Sequence, residues 1–292
     1  MKNLITMTAV LAVVCSVALA VPVYTVLHQS DGTAVDSPVN GYMDYIIDNS
    51  PNGNDLYSQN TIGIPNDIGG MTRLSTDGPA GVGDAYTRTR NGGTCGTNAL
   101  VDLQTQEFYW EMDLRFEPNA TGAGQGGIGG GSTHIIGSKY NEHGEGVSMN
   151  ANADGSLSAH LSAYLIGVTI TTDPGLVADN VWVNVGLSFE GVTDGGLFDR
   201  PEWAPGDWVS DQRQIWSGTL KIYVNGQEEA SGAGGLILND EGYGPFLAAW
   251  GPTPLGFTPN LGFDNVLISG IPEPATMSLL ALGGLALIRR KK

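Results

Sequence analysis

Cysteine is almost missing from this chain: 292 residues contain two, Cys15 and Cys95. Cys15 lies in an apolar N-terminal run behind Val14, where a lipid-modified cysteine wants a small residue before it. If that run is removed, Cys95 is left alone. No intramolecular disulfide can then form, and a hydrophobic core has to hold the domain. Cys95 itself reads as a small, partly buried residue rather than a nucleophile. Basic residues are also scarce, with 13 Lys and Arg against 30 Asp and Glu. Long apolar runs occur only at the two ends, and no segment between them has a sustained helical period.

These shortages exclude function classes. Five of the basic residues, at position 2 and at 289–292, and one acidic residue, Glu273, sit in the two ends, which leaves 8 basic against 29 acidic residues between them, a net charge of −21. Such a surface repels nucleic acid and anionic lipid and attracts cations, calcium above all outside the cell. Glycine is the residue in excess, 43 of 292, against a usual share of about 7%. With few Lys and Glu, that composition predicts many turns and strands and few helices.

Met1 to Ala20 has the parts of an export signal: Lys2, an apolar stretch from Leu4 to Leu19, and the small-x-small site Ala18-Leu19-Ala20. Cleavage after Ala20 is expected, with the Sec export machinery as a partner. The other end mirrors it. Pro272-Glu273-Pro274 is stiff and extended, Ala275 to Ile288 gives fourteen residues without charge, and Arg289, Arg290, Lys291 and Lys292 close the chain. Basic residues after an apolar run resist translocation and fix that end in the cytoplasm. Fourteen residues fall short of the about 20 that a stable span needs, which favours a temporary anchor. The order of parts resembles the PEP-CTERM sorting tail of Gram-negative bacteria. That resemblance implies an exosortase as partner, a transit through the inner membrane, cleavage near Pro272-Glu273-Pro274, and delivery to the cell surface or extracellular matrix. Three parts are therefore expected: a signal peptide over 1–20, an extracytoplasmic β-domain over 21–270 and a sorting signal over 271–292.

Within the middle part, Glu107 to Glu117 alternates most cleanly. Trp110, Met112, Leu114 and Phe116 take one face; Glu111, Asp113, Arg115 and Glu117 take the other. Val181 to Glu190 places Val181, Val183, Val185, Leu187 and Phe189 together, and Gly218 to Glu229 does the same with Leu220, Ile222 and Val224. Asn225-Gly226 is a strong hairpin signal, because both residues tolerate positive φ. Leu261 to Ser269 reads as a closing strand. Shorter strands are expected at Tyr42–Ile47, His134–Ser138, Val147–Asn150, Leu157–Tyr164 and Ile166–Thr172, while Val21 to Pro38 has no clear period. Val181–Glu190, Gly218–Gly226 and Phe263–Ser269 together resemble the concanavalin A-like sandwiches. The fold so implied is an all-β, two-sheet antiparallel jelly roll.

Candidate chemistry is sparse. Glu111 and Asp113 resemble the Glu-x-Asp-x-Glu strand of laminarinase-type hydrolases, but Arg115 stands where the second Glu belongs and Glu117 comes too late. A charged outer face is the simpler reading of that strand. His134, Glu142, His143 and Glu145 fit no zinc spacing. Asp48, Asn52 and Asp55, with Ser50 and Gly53, are arranged like the opening of a calcium loop, although the twelfth position is Gln59; a solvated turn is the other reading. Thr193 to Gln214 is expected as a long loop between two strands. Its Trp203 and Trp208, flanked by Asp199, Asp207 and Asp211, form the candidate glycan-binding set, since aromatic faces stack on sugar rings and carboxylates take hydroxyls. Three readings follow: a non-enzymatic surface or matrix sandwich, a glycan-binding module of lectin type, and a glycoside hydrolase.

Overall fold

A computed structural model of the chain describes residues 24–30, 34–36, 43–46, 48–54, 56–58, 71–75, 86–89, 94–97, 105–117, 133–137, 145–163, 167–199, 212–238, 246–250 and 260–270. Among these residues every regular element is a strand, and no helix is long and apolar enough to cross a membrane. The strands are β1 (Thr25–Ser30), β2 (Ala34–Asp36), β3 (Met43–Ile46), β4 (Leu56–Ser58), β5 (Met71–Ser75), β6 (Tyr86–Thr89), β7 (Thr94–Thr97), β8 (Phe108–Glu117) and β9 (Thr133–Gly137). They continue as β10 (Glu145–Ala151), β11 (Leu157–Ala163), β12 (Thr169–Thr171), β13 (Val183–Asp199), β14 (Gln212–Val224), β15 (Gln227–Leu236), β16 (Phe246–Trp250) and β17 (Asn260–Gly270).

These strands form two sheets, and every ladder between them is antiparallel. The first runs β15-β14-β13-β8-β17-β6-β5, with β1 also paired to β17. The second runs β12-β11-β10-β9-β16-β7-β4-β3-β2. Strands close in sequence are often split between sheets, so the chain crosses the gap repeatedly. The sheets pack face to face, with β11 and β12 lying over β14 and β15. The expected all-β two-sheet sandwich is what the chain forms.

Period-two patterning places the core. On β8, Phe108, Trp110, Met112, Leu114 and Phe116 are buried while Tyr109, Glu111, Asp113 and Arg115 are half-exposed. β13 supplies Val183, Val185, Leu187 and Phe189; β14 supplies Leu220, Ile222 and Val224; β17 supplies Leu261, Phe263, Val266 and Ile268. The second sheet answers with Ile135, Val147, Met149, Leu157, Ala159 and Leu161. Full burial of one such large side chain stabilises the fold by about 1.5–3 kcal/mol. Phe108 and Trp110 stack with ring centroids 4.2 Å apart, and the buried Trp110 indole N–H has no hydrogen-bond partner among the described residues. Val181 departs from expectation. β13 begins two residues later, and Val181 is 53% exposed instead of joining the core row.

Two hairpin features fix the register. Asn225 and Gly226 have φ of 50° and 76°, the double left-handed turn that joins β14 to β15. The expected loop from Thr193 to Gln214 is corrected at both ends. β13 runs on to Asp199 and pairs with β14 from Gln212, so only 200–211 lie between the strands. β13 continues through bulges at 190–193 and 194–196, where Gly191 and Gly196 take φ of 65° and 88°. The sequence of this extension hides the strand because its residues are exposed and glycine-rich, so no apolar alternation marks it.

Candidate functional site

β8, β13, β14 and β17 each turn one face inward, and the opposite face of the first sheet gathers the polar side chains. The register sets the rows. Tyr109 pairs with Ser188, and Ser188 with Lys221; Glu111 pairs with Gly186, and Gly186 with Tyr223. Thus Tyr109, Glu111, Ser188, Glu190, Lys221 and Tyr223 share one patch on adjacent strands.

Three tyrosines dominate it. The Tyr109 ring lies 5.9 Å from that of Tyr223, edge to face at 65°, and 6.4 Å from that of Tyr24. Gly186 lies buried between two of them and lets them close over it: a methyl there would sit 3.3 Å from Tyr223 Cβ and 3.4 Å from Tyr109 Oη. The Tyr109 hydroxyl donates to Glu111 Oε2 at 3.0 Å. Glu190 Oε1 accepts from Ser188 Oγ at 2.7 Å and Tyr223 Oη at 3.0 Å. Its other oxygen lies 3.0 Å from Lys221 Nζ, which also reaches Glu228 at 3.2 Å.

The electrostatics follow from this crowding. Burial raises the Tyr109 phenol far above its ordinary value, and the charge and hydrogen bond of Glu111 raise it further. Burial, then the charges of Glu107 and Glu190, do the same to Tyr24. Tyr223 is also raised, by burial first and by Glu190. All three phenols stay protonated in water. For Glu190, burial raises the pKa, but hydrogen bonds from Ser188, Lys221 and Tyr223 outweigh it and hold the carboxyl below the usual range. The hydrogen bond to Glu190 raises Lys221, keeping it charged.

Along the same face lies a shallow depression of about 650 Å³, lined by Gly191, Thr193, Gly195, Ile215, Ser217 and Thr219 with the β15 residues facing them. Thr219 pairs with Glu190, so the depression continues from the tyrosine patch. At the other end Arg115 lies 5.2 Å above the Trp182 ring. Between them the two Asp113 oxygens accept from Asn184 Nδ2 at 3.0 Å and Asn265 Nδ2 at 2.7 Å.

The residues singled out by sequence are scattered around this patch. Glu111 belongs to it, holding Tyr109. Asp113 is taken up by its two carboxamides. Asp199 sits at the end of β13, where its Oδ1 accepts from Gln212 Nε2 at 2.9 Å. Trp203, Trp208, Asp207 and Asp211 lie outside the described residues, as do Asp55, Glu142, His143, Pro272, Glu273, Pro274 and Arg289 to Lys292. Asp48 anchors a turn. Its carboxylate accepts the backbone N–H groups of Gln29, Ser50 and Asn54 and the Ser50 hydroxyl, at 2.6–2.9 Å. Asn52 Nδ2 donates to Val26 O at 2.5 Å, and Asn54 Nδ2 to Leu27 O at 2.8 Å. The turn is thereby seated on the edge of β1. Among the described residues no three His, Cys, Asp or Glu side chains converge as metal ligands.

Tyr24, Tyr109, Tyr223, Glu190 and Lys221 were not singled out by sequence. One signal was available. Tyr109 is a large aromatic on the wet face of the best alternating strand, where nothing in the core requires a ring.

Residues 270–292 match a protein-family model described as the PEP-CTERM protein-sorting motif. This motif marks an exported protein that passes the membrane and is sorted to the cell surface by an exosortase. No curated protein matches the chain. Among solved structures, the botulinum neurotoxin serotype G binding domain is similar at 12% identity, with a TM-score of 0.48 over 89% of this chain and 51% of that one. The binding domain of Paraclostridial Mosquitocidal Protein 1 gives 11% and 0.48, over 87% and 51%. The carbohydrate-binding module CBM66 from Bacillus subtilis gives 14% and 0.37, over 68% and 95%. The chain spans about half the length of the toxin domains it matches.

Proposed function

We propose that this is a non-catalytic surface or matrix protein whose sandwich binds polysaccharide after export. The observation that carries the reading is the row of Tyr24, Tyr109 and Tyr223 on the outer face of the first sheet, next to the depression that starts at Thr219. Half-exposed rings offer flat apolar area with a polar edge, and carboxylates beside them accept hydroxyl hydrogen bonds. Stability does not call for three rings on the side of a sheet that faces away from its core.

A binding role also fits the two carboxylates nearest to a hydrolase pattern. Glu111 and Asp113 are successive residues on the wet face of β8. Each is engaged in holding neighbours: Glu111 the Tyr109 hydroxyl, Asp113 two asparagine amides. Polysaccharide pull-down with the purified exported chain tests the reading. Retention that Tyr109→Ala and Tyr223→Ala both reduce is expected. Polysaccharide cleavage that Glu111→Gln or Asp113→Asn abolishes would replace the binding reading with an enzymatic one.

A further inference from the structure

We infer that the tyrosine face selects a polysaccharide carrying free amino groups, an amino-sugar polymer, over neutral and acidic polysaccharides. This rests on the glycan-binding reading above and names its ligand class.

The inventory of donors and acceptors points that way. The hydroxyls of Tyr109 and Tyr223 already donate to Glu111 and Glu190. The Lys221 ammonium is divided between Glu190 and Glu228. Among the described residues the patch therefore has its donors engaged and acceptors to spare: no described donor reaches Glu111 Oε1, and Glu107 receives a long backbone contact from Gly191, at 3.3 Å. A ligand that fits must bring donors. An ammonium brings three, a hydroxyl one, and a carboxylate or sulfate none.

Charge acts in the same direction. Glu190 and Glu228 flank Lys221, Glu111 holds Tyr109 and Glu107 lies near Tyr24, so among the described residues of the patch four carboxylates face one cation, and the tyrosines among them are neutral. Between low-dielectric rings an ammonium gains both the carboxylate field and the ring faces. A polyuronate meets the same field with the wrong sign. The adjoining depression supplies length. Its hydroxyl and glycine lining along β13 to β15 admits the neighbouring sugar units of a chain, and its about 650 Å³ lies within the range of ordinary ligand sites.

The test must separate this face from the acidity of the whole protein, which draws any polycation. Affinity of the purified exported chain is measured for a β-linked glucosamine polymer, its N-acetylated form, a neutral glucan and a polyuronate. The expected order is glucosamine polymer first, N-acetylated and neutral polymers next, polyuronate last. Glu111→Gln and Tyr223→Ala should each weaken glucosamine-polymer binding by about tenfold, near 1.4 kcal/mol. Tyr223→Phe, which keeps the ring, should weaken it less than Tyr223→Ala. Asp173→Asn, an exposed carboxylate just beyond β12 on the other sheet, should leave it unchanged. A loss from Asp173→Asn equal to that from Glu111→Gln overturns the inference in favour of bulk charge. Stronger binding to neutral glucan or polyuronate, still sensitive to Tyr223→Ala, overturns it while glycan binding stands. No binding to any of the four polymers overturns both.

Discussion

The hydroxyl of Tyr223 on β14 donates to Glu190 Oε1 on β13 across 3.0 Å, while Lys221 holds the other oxygen of the same carboxylate. One side chain thus ties β13 to β14, two of the strands that build the tyrosine face. Its pKa is depressed below the ordinary 4.5. A depressed carboxyl adds stability that is fully present above its unfolded value and is lost as pH falls through the folded one. The thermal midpoint should therefore drop on acidification below about pH 4.5, and Glu190→Gln should flatten that part of the profile. At neutral pH the substitution should cost about 0.5–1.5 kcal/mol, because the group is half-exposed and its ion pair is screened. Melting curves between pH 3 and pH 7 check this. A pH profile identical to that of the unaltered protein would show that Glu190 is not held as described.

Asp48 provides a second measurable anchor. Burial raises its pKa, but the N–H groups of Gln29, Ser50 and Asn54 and the Ser50 hydroxyl outweigh that and depress it. Asp48→Ala leaves three backbone donors without their acceptor, at a cost of about 2–4 kcal/mol. The amides of Gln29 and Asn54 should then exchange faster with solvent, while those of β8 keep their protection relative to the lowered global stability. Because four protein donors already occupy this carboxylate, added calcium should not raise the melting temperature through it. A calcium-dependent rise that Asp48→Asn abolishes would assign the turn to the metal.

How much of this was legible depends on which interaction fixes each element. β8 and the β14–β15 hairpin could be read because one face is buried and the turn residues, Asn225 and Gly226, need positive φ. The second half of β13 could not. Its partner is the start of β14, where Ile215 alone of 212–219 is buried, and two bulges break the period that would have revealed it. β1 was also missed. It is held by pairing with β17 and by the 48–54 turn, so its signal lies in other parts of the chain. The site suffered the same way. Glu111 was noted as a charged residue on a wet face, yet its role depends on Tyr109, Tyr223 and Gly186 meeting across three strands, and register is not written in any one of them.

Gly218 tests how tightly β14 packs against β13. A methyl at this position would lie 2.8 Å from Phe189 Cζ and 2.9 Å from the Glu190 carbonyl oxygen. The ring can turn, but the carbonyl belongs to the ladder that joins β13 to β14. Gly218→Ala should therefore destabilise by about 1–3 kcal/mol through overpacking, read as a lower denaturant midpoint with an unchanged slope. An unaltered midpoint would mean that β13 and β14 separate at no cost.

Thr25 and Gly270 are paired residues at the ends of β1 and β17. Along the chain, the expected signal cleavage after Ala20 precedes β1 and the tail beginning at 271 follows β17, with only Ile271 between Gly270 and Pro272. Every core residue of β17 precedes that point, and Gly270 itself is closed off by Thr105, which a methyl there would strike. A chain ending at Gly270 should consequently melt within about 2 °C of the full chain, roughly the shift expected from a few tenths of a kcal/mol in a domain this large. Removing residues 24–30 should act differently. It strips the partner from Val266 to Gly270 and the seat from the 48–54 turn, and it leaves a bare strand edge open to association. Scanning calorimetry with light scattering on the two truncated chains gives the comparison. Equal stability of both would show that β1 is dispensable.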